Sequence, residues 1–153
     1  MTKNTMAKFD EIENYLKQKG VEYKVIDLPD TTVSVEDVVR LSGGQVKEEE
    51  IIKTLIVKTK TGDFVGRILQ GKDRLKREVM DRLATKEEVL QIAGVEVGAV
   101  CPILLGIPMI IDKKVANLAR VNMGSGDHLK GLEINLPDLL KVLDDFRIEE
   151  ISL

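Results

Sequence analysis

Ile51-Ile52-Lys53-Thr54-Leu55-Ile56-Val57-Lys58 is a β-branched, apolar run that follows an acidic segment and precedes a turn. Its composition predicts a strand buried in a sheet. Side chains alternate along a strand, so Lys53, Leu55 and Val57 share one face. Ile52, Thr54, Ile56 and Lys58 take the other. Lys53 therefore sits among apolar side chains in mid-run. A buried ammonium is costly unless it is paired or serves a site. Two readings stand at this point. The head escapes to water along a long stem, or it belongs to a functional cleft. Lys58 borders the turn Thr59-Lys60-Thr61-Gly62-Asp63 and reads as solvated.

Working outward, Gly62-Asp63 predicts a hairpin whose second strand runs from Phe64 to Leu69. Upstream, Met6, Phe9, Ile12 and Leu16 recur at helical spacing, so a helix is expected from about Thr5 to Lys19, capped by Gly20. Tyr23 to Asp27 reads as a short strand. Ser34 with Asp37 predicts a helix start, and that helix runs to Leu41. Downstream, Leu75, Val79 and Leu83 predict a basic amphipathic helix. Thr85 with Glu88 is a second capping box, opening a helix that Gly94 ends. Pro108 to Ile111 reads as a buried strand, with Asp112 capping a short helix to Leu118. Strands follow at Arg120–Met123 and Gly131–Asn135. Pro137 starts a last helix, with Leu139, Leu140, Leu143 and Phe146 as its apolar stripe. Strands and helices alternate, yet the hairpin at Gly62 makes the sheet mixed.

At 153 residues, with 43% hydrophobic and 32% charged residues, the chain fits one soluble domain spanning residues 1–153. No apolar run approaches the roughly 18 residues of a membrane span. The N-terminus lacks the apolar core of a signal peptide. One cysteine permits no internal disulfide, and with one histidine there is no zinc ligand set. A reducing cytoplasm is the expected compartment. The net charge of −3 does not advertise nucleic-acid binding. Its distribution is uneven, however. Arg67, Lys72, Arg74, Lys76, Arg77, Arg82 and Lys86 face only three acids in the same stretch, and the C-terminal part is acidic. Such a surface can hold a phosphate backbone on one side, although an ordinary solvated face reads the same way.

Several catalytic arrangements are missing. Ser125, Asp127 and His128 are too close in sequence to converge as a triad. Gly124-x-Gly126 lacks the third glycine of a dinucleotide loop. Cys101 could be a nucleophile, but a lone cysteine in an apolar run is more often a core residue. Two features remain. Gly98-Ala99-Val100-Cys101-Pro102 has a permissive residue and a rigid one four apart, and such a loop can aim backbone N–H groups at an acyl oxygen. His128, following two glycines, suits a site or a surface turn equally.

Ile52-Lys53-Thr54-Leu55, then Gly98-x-x-x-Pro102, then Gly124-Ser125-Gly126-Asp127-His128, in that order, resemble the YbaK/ProX family of prolyl-tRNA synthetase-associated editing domains. Leu83 to Val89, Ile107 to Asp112 and Leu136 to Leu140 add supporting matches. The resemblance covers about residues 34–143. It implies an α+β fold, a single compact domain with a curved, mixed, barrel-like sheet flanked by helices. It implies a free-standing trans-editing deacylase that hydrolyses the ester of mischarged tRNA, with alanyl- or cysteinyl-tRNA for proline as the expected substrates. It needs no cofactor or metal. Its partners would be the acceptor end of aminoacyl-tRNA and a prolyl-tRNA synthetase.

Carried over by the resemblance, Lys53 holds the substrate's 3′ end. Gly98 and Pro102 frame a loop whose Ala99, Val100 and Cys101 contact the aminoacyl group. Gly124, Ser125 and Gly126 lie beside the substrate. His128 matches a histidine of one branch of the family. Arg74, Lys76 and Arg77 would carry part of the acceptor stem. The rival reading is a non-catalytic module that holds a tRNA 3′ end, a nucleotide or an amino acid in the same pocket.

Overall fold

A computed structural model describes residues 5–31, 34–76 and 81–153. The chain opens with helix α1 (Thr5–Lys19). Its stripe Phe9, Ile12 and Leu16 is buried. Gly20 ends it at φ +69°, its N–H bonded to the Lys17 carbonyl. Strand β1 (Tyr23–Asp27) and helix α2 (Val35–Leu41) follow. The Ser34 hydroxyl accepts from the Asp37 N–H at 3.1 Å and caps α2. A short 3-10 turn, Glu48–Glu50, delivers the chain to β2 (Ile52–Lys58). Beyond Gly62, at φ +92°, β3 (Phe64–Gln70) returns antiparallel, with Lys53 opposite Leu69.

Next come β4 (Arg82–Leu83), α3 (Lys86–Ala93), β5 (Met109–Asp112), α4 (Lys113–Ala116) and β6 (Arg120–Gly124). The chain closes with β7 (Lys130–Asn135), α5 (Leu136–Val142) and β8 (Phe146–Glu149). The capping box of Thr85 and Glu88 is complete at α3, and Gly94 ends that helix at φ +74°.

Among the described residues the strands form two sheets, not one closed surface. The larger runs β4-β2-β3-β5-β8 and the smaller β1-β7-β6. Both have free ends, so the barrel-like expectation does not hold: the fold is α+β with an open, mixed sheet. Antiparallel pairing of β2 with β3 sits beside parallel pairing of β3 with β5 and β5 with β8. The two sheets meet where Ile51 bridges Asn122 in parallel. Arg120 staples this seam, reaching Glu50 at 3.3 Å and Glu133 at 3.0 Å.

Strand parity distributes the apolar residues between two clusters. Ile52 and Ile56 join the main core with Leu16, Ile68, Ile111 and Leu132. Ile51, one residue earlier, joins a smaller cluster with Ile26, Leu28 and Val46, packed against the valines of α2. Lys53 has the parity of Ile51 and so faces away from the main core. Among the described residues no helix is long and apolar enough to cross a membrane.

Three expectations of local structure change. The helix over Leu75, Val79 and Leu83 is not formed at its described ends, and Val79 lies outside the described residues. Leu75 instead bridges Ser152, and Leu83 lies in β4. The C-terminal segment pairs with residues 74–76 through Lys76 N–H to the Ile151 carbonyl and Leu153 N–H to the Arg74 carbonyl. Tertiary pairing thus outweighs an i, i+4 pattern of weak propensity. Phe146 does not extend the stripe of α5 but begins β8, which is held by β5. Asp112 does not cap α4 with its side chain. Its buried carboxylate accepts from the N–H groups of Ile151 (3.0 Å) and Ser152 (3.3 Å) and from the Ser152 hydroxyl (2.9 Å).

That carboxylate therefore ties down the C-terminal segment. Asp112→Ala strands two backbone donors in a buried place and should cost about 2–4 kcal/mol of unfolding free energy. Ser152→Ala removes one hydroxyl and should cost about 1 kcal/mol. Urea unfolding of both variants measures the order.

Candidate active site

Lys53 projects from β2 toward a cavity of about 300 Å³. Its ammonium donates to the carbonyls of Gly71 (3.1 Å) and Asp73 (2.6 Å), which follow the partner strand β3. Burial lowers its pKa below the usual lysine range, and the negative charge of Asp73 opposes that shift. Two of its three donors are thus engaged with described residues, and the head is fixed rather than snorkelling. Gly71 allows this arrangement. A Cβ there would fall 2.7 Å from a Val35 methyl and 3.2 Å from an Ile51 methyl, so α2 packs directly on the backbone that holds the lysine.

The cavity has two kinds of wall. Ile26, Leu28, Val38, Val46 and Ile51 make an aliphatic side. Lys53, Asn122, Asp127, His128 and Lys130 make a polar one, and Gly98 and Gly124 also border it. Gly98 takes φ +101°, a conformation that favours glycine. The loop behind it lies against β6 at van der Waals limits. A Cβ on Gly124 would meet the Val100 carbonyl at 2.7 Å, and the Gly126 N–H donates to the Ala99 carbonyl at 2.9 Å. Two segments far apart in sequence are thus locked together through bare backbone.

The structure brings Lys53, Gly98, Gly124 and His128 to one cavity, but not the other described candidates. Pro102 is buried and borders a second cavity of about 230 Å³, beside Leu105, Pro108 and Asp144. Its ring stiffens the loop from the far side. Ala99 is buried, and its N–H is already bonded to the Glu96 carbonyl at 3.1 Å, so it does not point a free donor at a ligand. Val100 and Cys101 are buried in the main core. Burial pushes the Cys101 thiol up to about 12, which keeps it protonated and unreactive at neutral pH. Ser125 is fully buried. Its hydroxyl donates to the Lys130 carbonyl at 2.7 Å and accepts from the Asp127 N–H at 3.2 Å, shaping the turn that carries His128. Gly126, at φ +91°, serves the same turn.

The basic stretch is largely neutralised by neighbours. Lys72 pairs with Glu36 (3.2 Å) and Glu48 (2.6 Å), Arg82 with Glu88 (2.8 Å), and Lys76 with Glu150 (3.6 Å). Arg74 is exposed and does not border the cavity, and Arg77 lies outside the described residues.

Residues 30–142 match the family model of the aminoacyl-tRNA editing domain. The chain belongs to the aminoacyl-tRNA editing domain family. Solved structures resemble this editing domain over nearly its whole length. One is the hypothetical protein APE2540, 27% identical with a TM-score of 0.82, covering 94% of this chain and 99% of that one. A second is a candidate trans-editing enzyme for prolyl tRNA synthetase, 20% identical with a TM-score of 0.80, covering 95% and 97%. A third is a candidate signal transduction protein from Marinobacter aquaeolei VT8, 18% identical with a TM-score of 0.65. There the editing domain is matched over 94% of its length but spans only 30% of the other chain.

Asn122 and Lys130 line the cavity but are not singled out by the sequence reading, which has Asp127 only as part of the Gly124–His128 motif. Lys130 pairs with Asp27 at 3.1 Å and lies 5.5 Å over the Phe9 ring. Asn122 carried a signal, since it is a polar residue between the apolar Val121 and Met123.

Two outcomes test this geometry. Gly124→Ala drives a methyl into the Val100 carbonyl and should destabilise the editing domain by about 1–3 kcal/mol, measured by thermal melting. In a heteronuclear titration, Lys53 should lose its proton at lower pH than Lys72 and Lys130, whose carboxylate partners hold theirs up. Titration of Lys53 in the ordinary lysine range would instead show that its head stands in water and not on the two carbonyls.

Proposed function

We propose that this editing domain is a trans-acting aminoacyl-tRNA deacylase, hydrolysing the ester that joins a wrong amino acid to the terminal ribose. The observation that carries the reading is the Lys53 ammonium, fixed by two carbonyls at the wall of a cavity that Gly98 and His128 share. An aminoacyl ester is already activated, so placement matters more than a strong nucleophile. A water attacks the ester carbonyl, the tetrahedral oxyanion forms, and the ribose oxygen leaves with a proton. Lys53 anchors the 3′-terminal nucleotide through its ribose or phosphate. Because the Ala99 N–H is committed to Glu96, the backbone contact to the oxyanion falls to the rim at Gly98. The buried Cys101 thiol takes no part.

Alanyl- or cysteinyl-tRNA for proline fits a small cavity. Discrimination among such side chains rests on differences of roughly 1–3 kcal/mol per methylene. Pairing of Lys72, Lys76 and Arg82 with carboxylates weakens the basic stretch as a phosphate-binding surface, which favours tRNA delivered by a prolyl-tRNA synthetase. The same observation favours the rival reading, a binding module without turnover.

A panel of mischarged tRNAs separates the two. Release of many amino acids per protein molecule supports the hydrolase; stoichiometric binding alone supports the module. In the same assay Lys53→Ala should lower kcat/KM by about 100-fold or more. Undiminished turnover by a folded Lys53→Ala variant removes the lysine from the mechanism.

A further inference from the structure

Asn122 is 4% exposed and lines the cavity, yet among the described residues neither its amide nitrogen nor its amide oxygen has a hydrogen-bond partner. A buried carboxamide left unsatisfied costs stability, and folded proteins rarely keep one without a use for it. The neighbours of Asn122 in β6 are Val121 and Met123, both buried in the main core. On the partner sheet it meets Ile51, a member of the aliphatic wall. An aliphatic side chain would pack there at no polar cost.

A carboxamide offers one donor and one acceptor side by side in one plane. Charged groups of a substrate have charged partners elsewhere in the cavity: Lys53 for a phosphate, Asp127 for an ammonium. The neutral amide instead suits a neutral edge that also donates and accepts side by side. Adenine presents such an edge, its 6-amino group next to a ring nitrogen, and an asparagine pairs with it in two hydrogen bonds. The surroundings suit a base as well. A nucleobase drawn out of its stack is held between apolar side chains and read along its edge, and Ile26, Leu28, Val38 and Ile51 supply such walls.

We propose that Asn122 reads the adenine of the 3′-terminal nucleotide, with the base lodged against the aliphatic wall and the ribose directed toward Lys53. This rests on the deacylase reading for the identity of the substrate. The amide is withdrawn from water in the unliganded chain, so small side-chain shifts at the wall admit the base. The register supports the direction. Asn122 and Gly124 share one face of β6, Ile51 just before β2 has the parity of Lys53, and the two segments run parallel at the bridge. The base site thus lies at one end of the cavity and the lysine with Gly124 further along it.

Calorimetric titration of the whole chain with AMP and with purine riboside 5′-monophosphate, which lacks the 6-amino group, tests the assignment. Wild type should bind AMP about 10- to 100-fold more tightly than the analogue without the amino group. Asn122→Leu should lose that preference and bind both equally weakly, as a double-mutant cycle requires. The same variant should melt at or above the wild-type temperature, because an orphaned amide is replaced by an apolar group. Should it fail to fold, Asn122→Ala and the two ligands on wild type carry the test. Equal binding of the two nucleotides by wild type overturns the proposal, as does no AMP binding at millimolar concentration. Unchanged AMP binding by Asn122→Leu with weakened deacylation also overturns it and assigns the amide to the aminoacyl group. Base preference that depends on Asn122 without any amino acid release keeps the adenine site and removes the hydrolase.

Discussion

Two sheets meet at one backbone pairing, Ile51 with Asn122, and the placement of nearly every cavity residue follows from it. The bridge holds β2 and β6 side by side for a single step. Beyond it β2 continues with β3 on one edge, while β6 turns back onto β7. The strands diverge, and the space between them is the cavity. The ion pairs of Arg120 with Glu50 and Glu133 tie the segments just outside the bridge. Those carboxylates are nearly buried while the guanidinium is half-exposed, so the network fixes position more than it adds stability.

Parity at the bridge sorts the side chains. Ile52 and Ile56 close the main core, whereas Ile51 and Lys53 face the small cluster under α2. A one-residue slip of β2 would exchange these faces and bury the ammonium in the core. The close approach of Gly124 to the Ala99–Val100 backbone then fixes the third wall. Glycine is needed there for space, since no other residue lets two main chains approach so nearly. The Ala99 N–H and carbonyl are spent internally, on Glu96 and Gly126, which braces the loop behind Gly98.

Local consistency breaks where the chain would otherwise be an ordinary α+β domain. Lys53 is an ammonium in an apolar strand, and Asn122 is an unsatisfied amide in another. Each lowers the stability that an aliphatic residue would supply, and both face the same cavity. Natural folds accept such costs mainly at functional sites. Elsewhere charge is balanced conventionally. Of the cations that suggested a phosphate-binding stripe, Lys72, Lys76 and Arg82 are drawn into ion pairs with Glu36, Glu48, Glu88 and Glu150.

The sequence by itself determined the elements whose signals are local: α1 by its stripe and Gly20, α3 by its capping box, the β2–β3 hairpin by Gly62, and the face on which Lys53 lies. It also carried family membership, because Lys53, the Gly98 loop and the Gly124–His128 turn keep their order. It misread Leu75, Phe146 and the side chain of Asp112, whose partners are the C-terminal segment and β5. Only the tertiary structure decided that the sheet stays open, that Pro102 and Cys101 turn away from the cavity, and that Asn122 enters it. The physical reason is that periodicity reports which side of an element is apolar. It cannot report which distant backbone comes close enough to satisfy a donor or leave one unpaired.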